Sequence, residues 1–561
     1  MSLLVDYLDK TQKTGENGHV EHDWSENIQE QIIQFDFQMT RTNESGLKSL
    51  EQRLRSLLTK LKNEPDTTYR VILFKMIGCT RDIVAGKGEC DLTYMMIRVW
   101  YDFYPQLAFV AIDSLLRRDD NTHQFGSWKD AKYFCEYCRR QGDATDHQLI
   151  QHVVKTVNAQ LEKDFNCYMF SSEQNNLSLL AKWIPREKSN KFGWLYELLA
   201  TDFFPEYMIT ATTAGPRSRA IIKCKTEYRH IISKINKAID TLQIKQCGQK
   251  WSEIDFNKVT SVSMTKQTKA FLNIKSKDET RYPDNEDRVQ CAVNFNEHVS
   301  SSDKEIKGKR VGIVDFVKRA IDTPSTGVLA DVLNSQWRDN SSMNESLGNM
   351  IAMVDVSGSM EGDPMHAAIG LGIRIAEKSR LGKRVLTFSQ DPEWVNLSKI
   401  DNFVDMVKCV QAAPWGMNTN FYRALNIILD AIVELKMPAD DVKDMTLVIL
   451  SDMQMDEADK CNKHTLYENI TREYAAAGVR VHRVPYTPPR ILFWNLRSTN
   501  GFPVDTTQSN TAMMSGYSPI MLNQFIETGG QITPWDNFMK GLNNERYGIL
   551  EKAATEFFYT L

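Results

Sequence analysis

The chain has 561 residues, more than a single hydrophobic core usually supports, so we expect two or three domains. Hydrophobic residues make up 42%, charged residues 25%, and the formal net charge is −4, which is typical of soluble globular proteins. No apolar run approaches the roughly 20 residues of a membrane-spanning helix, and the acidic N-terminus is unlike a signal peptide. We therefore expect a cytoplasmic protein without a membrane partner, associated with the virion if its source is a virus.

The ten cysteines are sparse and irregularly spaced, which predicts reduced structural thiols without disulfides. Cys135-Glu-Tyr-Cys138 is the single C-x-x-C and has the spacing of half a zinc site. No second pair stands at a ligand-like spacing, so we interpret both residues as structural.

The N-terminal half has the apolar pattern of helices. From about residue 30 to residue 319 apolar residues recur at helical spacing, and glycines and prolines separate stretches of about 10 to 20 residues. Serial short helices without strands predict an all-α, HEAT-like helical-repeat domain over residues 26–340. We expect residues 1–25 to be flexible and residues 278–310 to form a charged loop. One clear helical face consists of Ile150, Val153, Val154, Val157 and Leu161.

Residues 217–250 carry the strongest electrostatic feature, with nine basic and only two acidic residues. A basic run on a helix is often only a solvated face. It also supplies phosphate contacts in proteins that bind RNA, and such binding is sensitive to salt. The candidate RNA-binding residues are Arg217, Arg219, Lys223, Lys225, Arg229, Lys234 and Lys237.

After residue 340 the pattern changes to short apolar strands that alternate with helices. We predict strands at 350–354, 384–388, 445–450, 479–484 and 490–494, and helices at 366–379, 421–435 and 463–477. This alternation predicts a doubly wound, Rossmann-like α/β domain over residues 341–561. The ligand site of such a sheet lies outside the carboxyl ends of its strands.

Polar side chains follow directly after the first of these strands. Asp355-Val-Ser357-Gly-Ser359 places one carboxylate and two hydroxyls on a single turn. Such hard oxygens suit Mg²⁺, which keeps several waters and needs only a few protein ligands. The alternative is that this string merely caps the following helix, where Asp and Ser are also favoured.

The string resembles the D-x-S-x-S motif of von Willebrand factor A-type (vWA) domains, where it forms the metal-ion-dependent adhesion site. The resemblance implies that Thr419, from a later loop, and Asp452, at the end of another strand, complete a site for Mg²⁺ or another divalent cation. The segment before Thr419 is longer than the usual Gly-x-Thr of that family, which leaves Asn418 or Asn420 as substitutes.

A helical-repeat array followed by a vWA domain also resembles the TROVE proteins, the Ro RNA-binding family, whose repeats form a ring closed by the vWA domain. Finer landmarks resemble an uncharacterised sister family of plants, fungi and large DNA viruses that shares a domain of unknown function. We interpret the tryptophans of these landmarks as core anchors and their charged residues as caps or surface pairs. The landmarks include Trp128-Lys129-Asp130, Lys182-Trp183-Ile-Pro185-Arg186-Glu187 and Trp251-Ser-Glu-Ile-Asp-Phe256.

These features favour a non-catalytic scaffold, an RNA-binding ribonucleoprotein component with a magnesium-dependent vWA ligand site. Its RNA would be structured or single-stranded. The alternative is a protein–protein adaptor without RNA, in which a partner carboxylate enters the open coordination position of the metal. We expect no enzyme, because Gly86-Lys87-Gly88 lacks the spacing and hydroxyl of a phosphate-binding loop and no catalytic triad can be nominated.

Overall fold

The computed structural model describes residues 12–14, 20–117, 125–170, 176–275, 279–301, 306–388, 392–414, 421–454, 466–499, 501–526 and 533–560. The chain divides into two compact units. The first, here called the sheet unit, comprises Met1–Leu92, Thr260–Lys266 and Val299–Glu545. The second, the helical unit, comprises Thr93–Val259, Gln267–His298 and Arg546–Leu561.

Helices predominate up to residue 341, and strands and helices alternate after it. The helices are α1 (Ile28–Gln38), α2 (Glu44–Leu61), α3 (Thr68–Arg81), α4 (Cys90–Phe103), α5 (Pro105–Leu116), α6 (Trp128–Arg140), α7 (Gln148–Phe170), α8 (Leu180–Trp183), α9 (Gly193–Phe203), α10 (Pro205–Ile209), α11 (Ala214–Ala238), α12 (Leu242–Cys247), α13 (Ser261–Phe271), α14 (Glu286–Ser300), α15 (Ile313–Asp322), α16 (Val328–Ser341), α17 (Asp363–Lys378), α18 (Phe403–Gln411), α19 (Phe421–Glu434), α20 (Ala439–Lys443), α21 (Leu466–His482), α22 (Leu522–Ile526), α23 (Pro534–Leu542) and α24 (Gly548–Tyr559). The strands are β1 (Gln12–Thr14), β2 (Val20–His22), β3 (Met350–Asp355), β4 (Arg384–Phe388), β5 (Glu393–Asn396), β6 (Thr446–Ser451), β7 (Arg490–Asn495) and β8 (Thr511–Ser515).

The helical character of the N-terminal half is confirmed. The apolar face predicted for α7 is buried, since Ile150 and Leu161 are both 0% exposed. Cys135 and Cys138 lie inside α6, where burial raises the pKa of both thiols. Thiols that stay protonated are poor zinc ligands, which agrees with a structural role.

The predicted charged loop at 278–310 is wrong in its centre, where α14 forms. Its few apolar residues include Cys291 and Phe295, four apart, and both are fully buried on one face. The helix is therefore amphipathic despite its low apolar content.

Among the described residues, no helix is long and apolar enough to span a membrane.

The sheet of the sheet unit has six strands in the order β5-β4-β3-β6-β7-β8. All neighbours run parallel except β5, which pairs antiparallel with β4. This confirms the parallel α/β region and the strands at 350–354, 384–388, 445–450 and 490–494. The strand predicted at 479–484 is wrong, because most of this segment continues α21, with Val479 and Val484 more than half exposed.

Both faces of the sheet are covered by helices, because successive residues of a strand point to opposite faces. Ala352 and Val354 of β3 pack into an apolar cluster with α15, α17 and α18. Ile351 and Met353 pack into a second cluster with α19, α21 and part of α1. The core of the unit therefore lies on either side of β3.

Residues 20–92 belong to the sheet unit, although the sequence pattern grouped residues 26–340 as one helical domain. Helix α1 packs against β8, and His22 of β2 forms a backbone bridge with Phe502. Part of the segment expected to be flexible thus forms a strand pair, β1 with β2. The unit is assembled from chain segments that are several hundred residues apart.

Lys87 connects α1, in the N-terminal segment, with strand β8 of the sheet. Its buried ammonium group lies 2.8 Å from a carboxylate oxygen of Asp36 and donates to the Ser515 hydroxyl at 2.7 Å. It also donates to the backbone carbonyls of Asp36 and Met39, near the end of α1. Lys87 therefore has a structural role between α1 and β8.

Candidate metal site

The carboxyl ends of the parallel strands form a row of buried polar residues. The strand registers align Asp355 of β3, Ser451 of β6, Asn495 of β7 and Ser515 of β8, and each is 0% exposed. The chain winds from β3 outward to β5 on one side and from β6 outward to β8 on the other. The edge between β3 and β6 is therefore the topological switch point, where doubly wound sheets bind ligands.

Asp355 is held at this edge by two hydrogen bonds. The Ser451 hydroxyl donates to one of its carboxylate oxygens at 2.6 Å, and the Ser357 backbone N–H donates to the other at 2.9 Å. The hydroxyl oxygens of Ser357 and Ser359 lie 3.1 Å apart. One carboxylate and two hydroxyls thus gather on one turn.

The loop does not cap the following α-helix. Residues Gly358–Met360 form a single 3₁₀ turn, and Ser357 makes no side-chain capping bond to it. Helix α17 begins later, at Asp363, after Gly362 with a φ of 97°. The alternative interpretation of D-x-S-x-S as a helix cap therefore has no support in the geometry.

Asp452, directly after β6, is the second carboxylate at this edge, and it is 0% exposed. Its Oδ1 accepts from the Gln454 backbone N–H at 3.1 Å. Burial, together with the negative charge of Asp452, raises the pKa of Asp355 to about 7. Two buried carboxylates whose charges repel each other favour either a shared proton or a bound cation.

Arg497, after β7, forms a salt bridge with Asp452 of this pair of acids. Its guanidinium lies 3.6 Å from Oδ2 of Asp452 and donates to the Ser359 carbonyl at 3.0 Å. Its side chain is half exposed, so solvent screens its interaction with the buried acid. Arg497 is not among the predicted ligands, although it stands shortly after the strand predicted at 490–494.

The remaining predicted ligand, Thr419, lies outside the described residues, as do its substitutes Asn418 and Asn420. Within the part of the chain that is described, no group of three or more His, Cys, Asp or Glu residues is placed to hold a metal ion. The candidate site therefore depends on two carboxylates and on hydroxyl oxygens.

A cleft of about 740 Å³ opens beside the Asp355 loop, and Ser359 lies on its wall. Arg41 enters it from the N-terminal segment, and its Nε and Nη2 donate to the two carboxylate oxygens of Glu89 at 3.2 and 3.0 Å. Arg41 also lies over the ring of Tyr517, 5.0 Å from its centroid. No sequence signal connects Arg41 with a loop more than 300 residues away.

The predicted RNA-binding residues lie on α11 in the helical unit. Arg219, Lys223, Lys234 and Lys237 share one exposed stripe at helical spacing. Lys225 and Arg229 lie on another side, paired with Glu197 at 3.1 Å and Glu187 at 2.8 Å. Arg217 is exposed in the first turn. The structure therefore separates the seven residues into a stripe of four, two paired cations and one at the helix start.

Comparison with known proteins gives two family matches, both to domains of unknown function. DUF7788 matches residues 349–555, which include the sheet and the Asp355 loop, and DUF2828 matches residues 136–290, which include α11. "Uncharacterized protein L728" of Acanthamoeba polyphaga mimivirus is 27% identical over 473 residues, 80% of this chain and 76% of that protein. The two domain matches and the similarity to this viral protein fit an uncharacterised family of domains of unknown function.

Proposed function

We propose that the sheet unit is a vWA-type domain that binds Mg²⁺ or another divalent cation, and that the chain is a non-catalytic binding scaffold. The observation that carries the proposal is the meeting of two buried carboxylates and two hydroxyls at the switch point of the sheet. The strand order, 3-2-1-4-5-6 when counted from β3, is the doubly wound order that the vWA resemblance implies.

The donor atoms fit a small, hard cation. All are oxygens, and neighbouring ligands of an octahedral Mg²⁺ lie about 3 Å apart, given metal–oxygen distances of about 2.1 Å. The 3.1 Å between the hydroxyls of Ser357 and Ser359 matches this spacing. Asp355 would be the charged direct ligand and Asp452 the outer carboxylate. A bound cation would neutralise both acids and present an open position toward the cleft.

An open coordination position on the metal favours the binding of an anionic ligand over a catalytic function. A carboxylate from a protein partner would complete the coordination, which is the adaptor function. RNA binding is a second candidate, favoured by the exposed basic stripe of α11. Both functions are compatible, because the metal loop and α11 belong to different units.

Magnesium should stabilise the protein more at alkaline than at acidic pH. Asp355 has a raised pKa in the folded state, so folding takes up a proton, and the metal-free protein loses stability as pH rises from about 4 through about 7. Mg²⁺ must displace that proton to bind. We expect a clear rise in Tm on adding Mg²⁺ near pH 8 and a much smaller rise near pH 5.5, measured against a chelator by differential scanning fluorimetry. Equal rises at both pH values would contradict the assignment.

Charge reversal of the α11 stripe tests the RNA candidate. Changing Arg219, Lys223, Lys234 and Lys237 together to Glu should weaken binding of a structured RNA by at least about tenfold and flatten its salt dependence. Electrophoretic mobility shifts across a salt series measure both effects. A variant with Lys155→Glu and Lys258→Glu, two exposed positions of the same unit, is the control. Unchanged binding by the stripe variant would exclude α11 as the RNA contact.

A further inference from the structure

Two sequence landmarks, some fifty residues apart, meet on one surface of the helical unit. Lys129 belongs to α6 and Trp183 to α8, and these helices pack against each other. Three aromatic rings and three lysines form what is here called the basic–aromatic patch. It consists of Lys129, Lys132, Tyr133, Trp183, Lys191 and Phe192.

The lysines of the patch lie over its rings. The ammonium group of Lys132 is 5.2 Å from the centroid of Trp183 and 5.7 Å from that of Phe192. Lys129 lies 5.1 Å from the ring of Tyr133, and Lys191 lies 5.4 Å from that of Phe192. Tyr133 and Phe192 contact each other edge to face, with centroids 5.3 Å apart. Cations and rings are therefore interleaved on one surface.

Among the described residues, no acidic side chain forms a salt bridge with Lys129, Lys132 or Lys191 of the patch. Burial, with the charges of Lys129 and Arg186, lowers the pKa of Lys132 to about 8. Both charges acting on Lys132 are cationic. Glu187, the acid adjacent to Arg186 in sequence, pairs with Arg229 of α11 at 2.8 Å. That pair also connects the patch with the basic helix.

The rings of the patch are accessible, unlike the aromatic core of the helical unit. Tyr133 is 36% exposed, and Trp183 and Phe192 are partly exposed, whereas Trp128 is 8% exposed and Trp100 is fully buried. Trp128 is therefore a core anchor, as predicted, whereas Trp183 is partly exposed, with one part packed beside Trp128 and Leu180. A contiguous group of accessible rings at the surface is typical of a binding site.

We propose that the basic–aromatic patch binds a single-stranded nucleic acid, whose bases stack on its rings and whose phosphates pair with its lysines. Stacking on aromatic rings combined with a cationic surface is the physical basis of sequence-tolerant single-strand binding. An acidic peptide would satisfy the lysines but would leave the rings unused. This inference goes beyond the metal site, and it adds a surface distinct from the α11 stripe.

Fluorescence anisotropy of the full chain with a labelled oligouridine of about 15 nucleotides tests the proposal, with chelator present so that the metal site has no influence. Lys129→Glu with Lys191→Glu should weaken binding at least about tenfold and reduce its salt dependence. The control is again Lys155→Glu with Lys258→Glu, which should change binding by less than about threefold. Equal losses in both variants, or no binding by the parent protein, would overturn the proposal.

A second pair of variants isolates stacking from charge. Tyr133→Phe keeps the ring and should bind like the parent, whereas Tyr133→Leu should bind about tenfold more weakly. The two variants leave every lysine in place. If polyglutamate displaces the oligouridine as well as unlabelled RNA does, the patch is a general anion surface and the proposal fails. If only the α11 variant lost binding, the proposal for the patch would likewise be overturned, and α11 would be supported as the RNA contact.

Discussion

Asp355→Asn is expected to abolish divalent-cation binding, with a loss of more than about 100-fold in affinity, because even supporting residues around metal ligands contribute about 10- to 100-fold. Asparagine removes the charge and one acceptor oxygen. Its remaining oxygen can accept from the Ser357 N–H, and its amide N–H can donate to the Ser451 hydroxyl, which is able to accept as well as donate. Without metal near pH 8, the variant should be at least as stable as the parent, since it no longer buries a second carboxylate beside Asp452. Titration calorimetry with Mg²⁺ and thermal unfolding with chelator measure the two effects.

Asp363→Asn is the matched control for this loss. Asp363 lines the same cleft and pairs with Lys318 and Arg41, but it is not among the proposed ligands. Its replacement removes the same charge and should change Mg²⁺ affinity by less than about threefold, because screened charges interact weakly. If Asp363→Asn abolished binding while Asp355→Asn did not, the metal would have to lie elsewhere in the cleft.

Asp355→Asn also separates the two proposed functions, in a pull-down followed by identification of both the bound proteins and the bound RNA. Partners held through the metal should be lost with Asp355→Asn and with chelator alike. RNA held by the helical unit should persist in both cases. Protein partners that persist in both would rule out the metal as their contact.

Lys87→Met is expected to lower the free energy of unfolding by about 3–5 kcal/mol, the usual effect of breaking a buried ion pair from one side. The change leaves the Asp36 carboxylate without its ammonium partner and removes a donor to Met39 and Ser515. Methionine preserves most of the side-chain volume, so the loss reports polar contacts and not a cavity. Urea unfolding followed by tryptophan fluorescence measures it.

Lys48→Met provides the comparison, because Lys48 is an exposed lysine of α2 in the same unit. Its replacement should change the free energy of unfolding by less than about 0.5 kcal/mol. Similar losses of unfolding free energy in the two variants would mean that the contacts of Lys87 with α1 and β8 do not stabilise the fold.

Much of the sheet was predictable because β3, β4, β6 and β7 are mostly apolar runs, and the end of β3 locates Asp355. Asp452 follows β6, but it was identified as a candidate ligand through the vWA resemblance. Strand β8 was missed, since Thr511–Ser515 contains two methionines and no run of β-branched residues. The strand at 479–484 was wrongly predicted from alternating valines, most of which lie in helix α21.

Contacts between distant segments were not predictable from local patterns. Arg41, Lys87 and Arg497 are ordinary surface-type residues in the sequence, and only the folded chain brings Arg41 to the cleft and Lys87 to Ser515. The basic–aromatic patch was hidden for the same reason, because Tyr133 and Trp183 lie on separate helices. Periodicity reports which side of a helix is apolar, and it contains no information about which helix lies beside it.

The return of the chain to the sheet unit has a consequence for protein synthesis. Residues 20–92 leave the ribosome early, whereas their partner strand β8 ends at Ser515, about 420 residues later. At a translation rate of roughly 5–20 residues per second, the apolar side of α1 stays exposed for tens of seconds before β8 is synthesised. Nascent chains should therefore engage chaperones through α1, and they should be released once β8 has emerged.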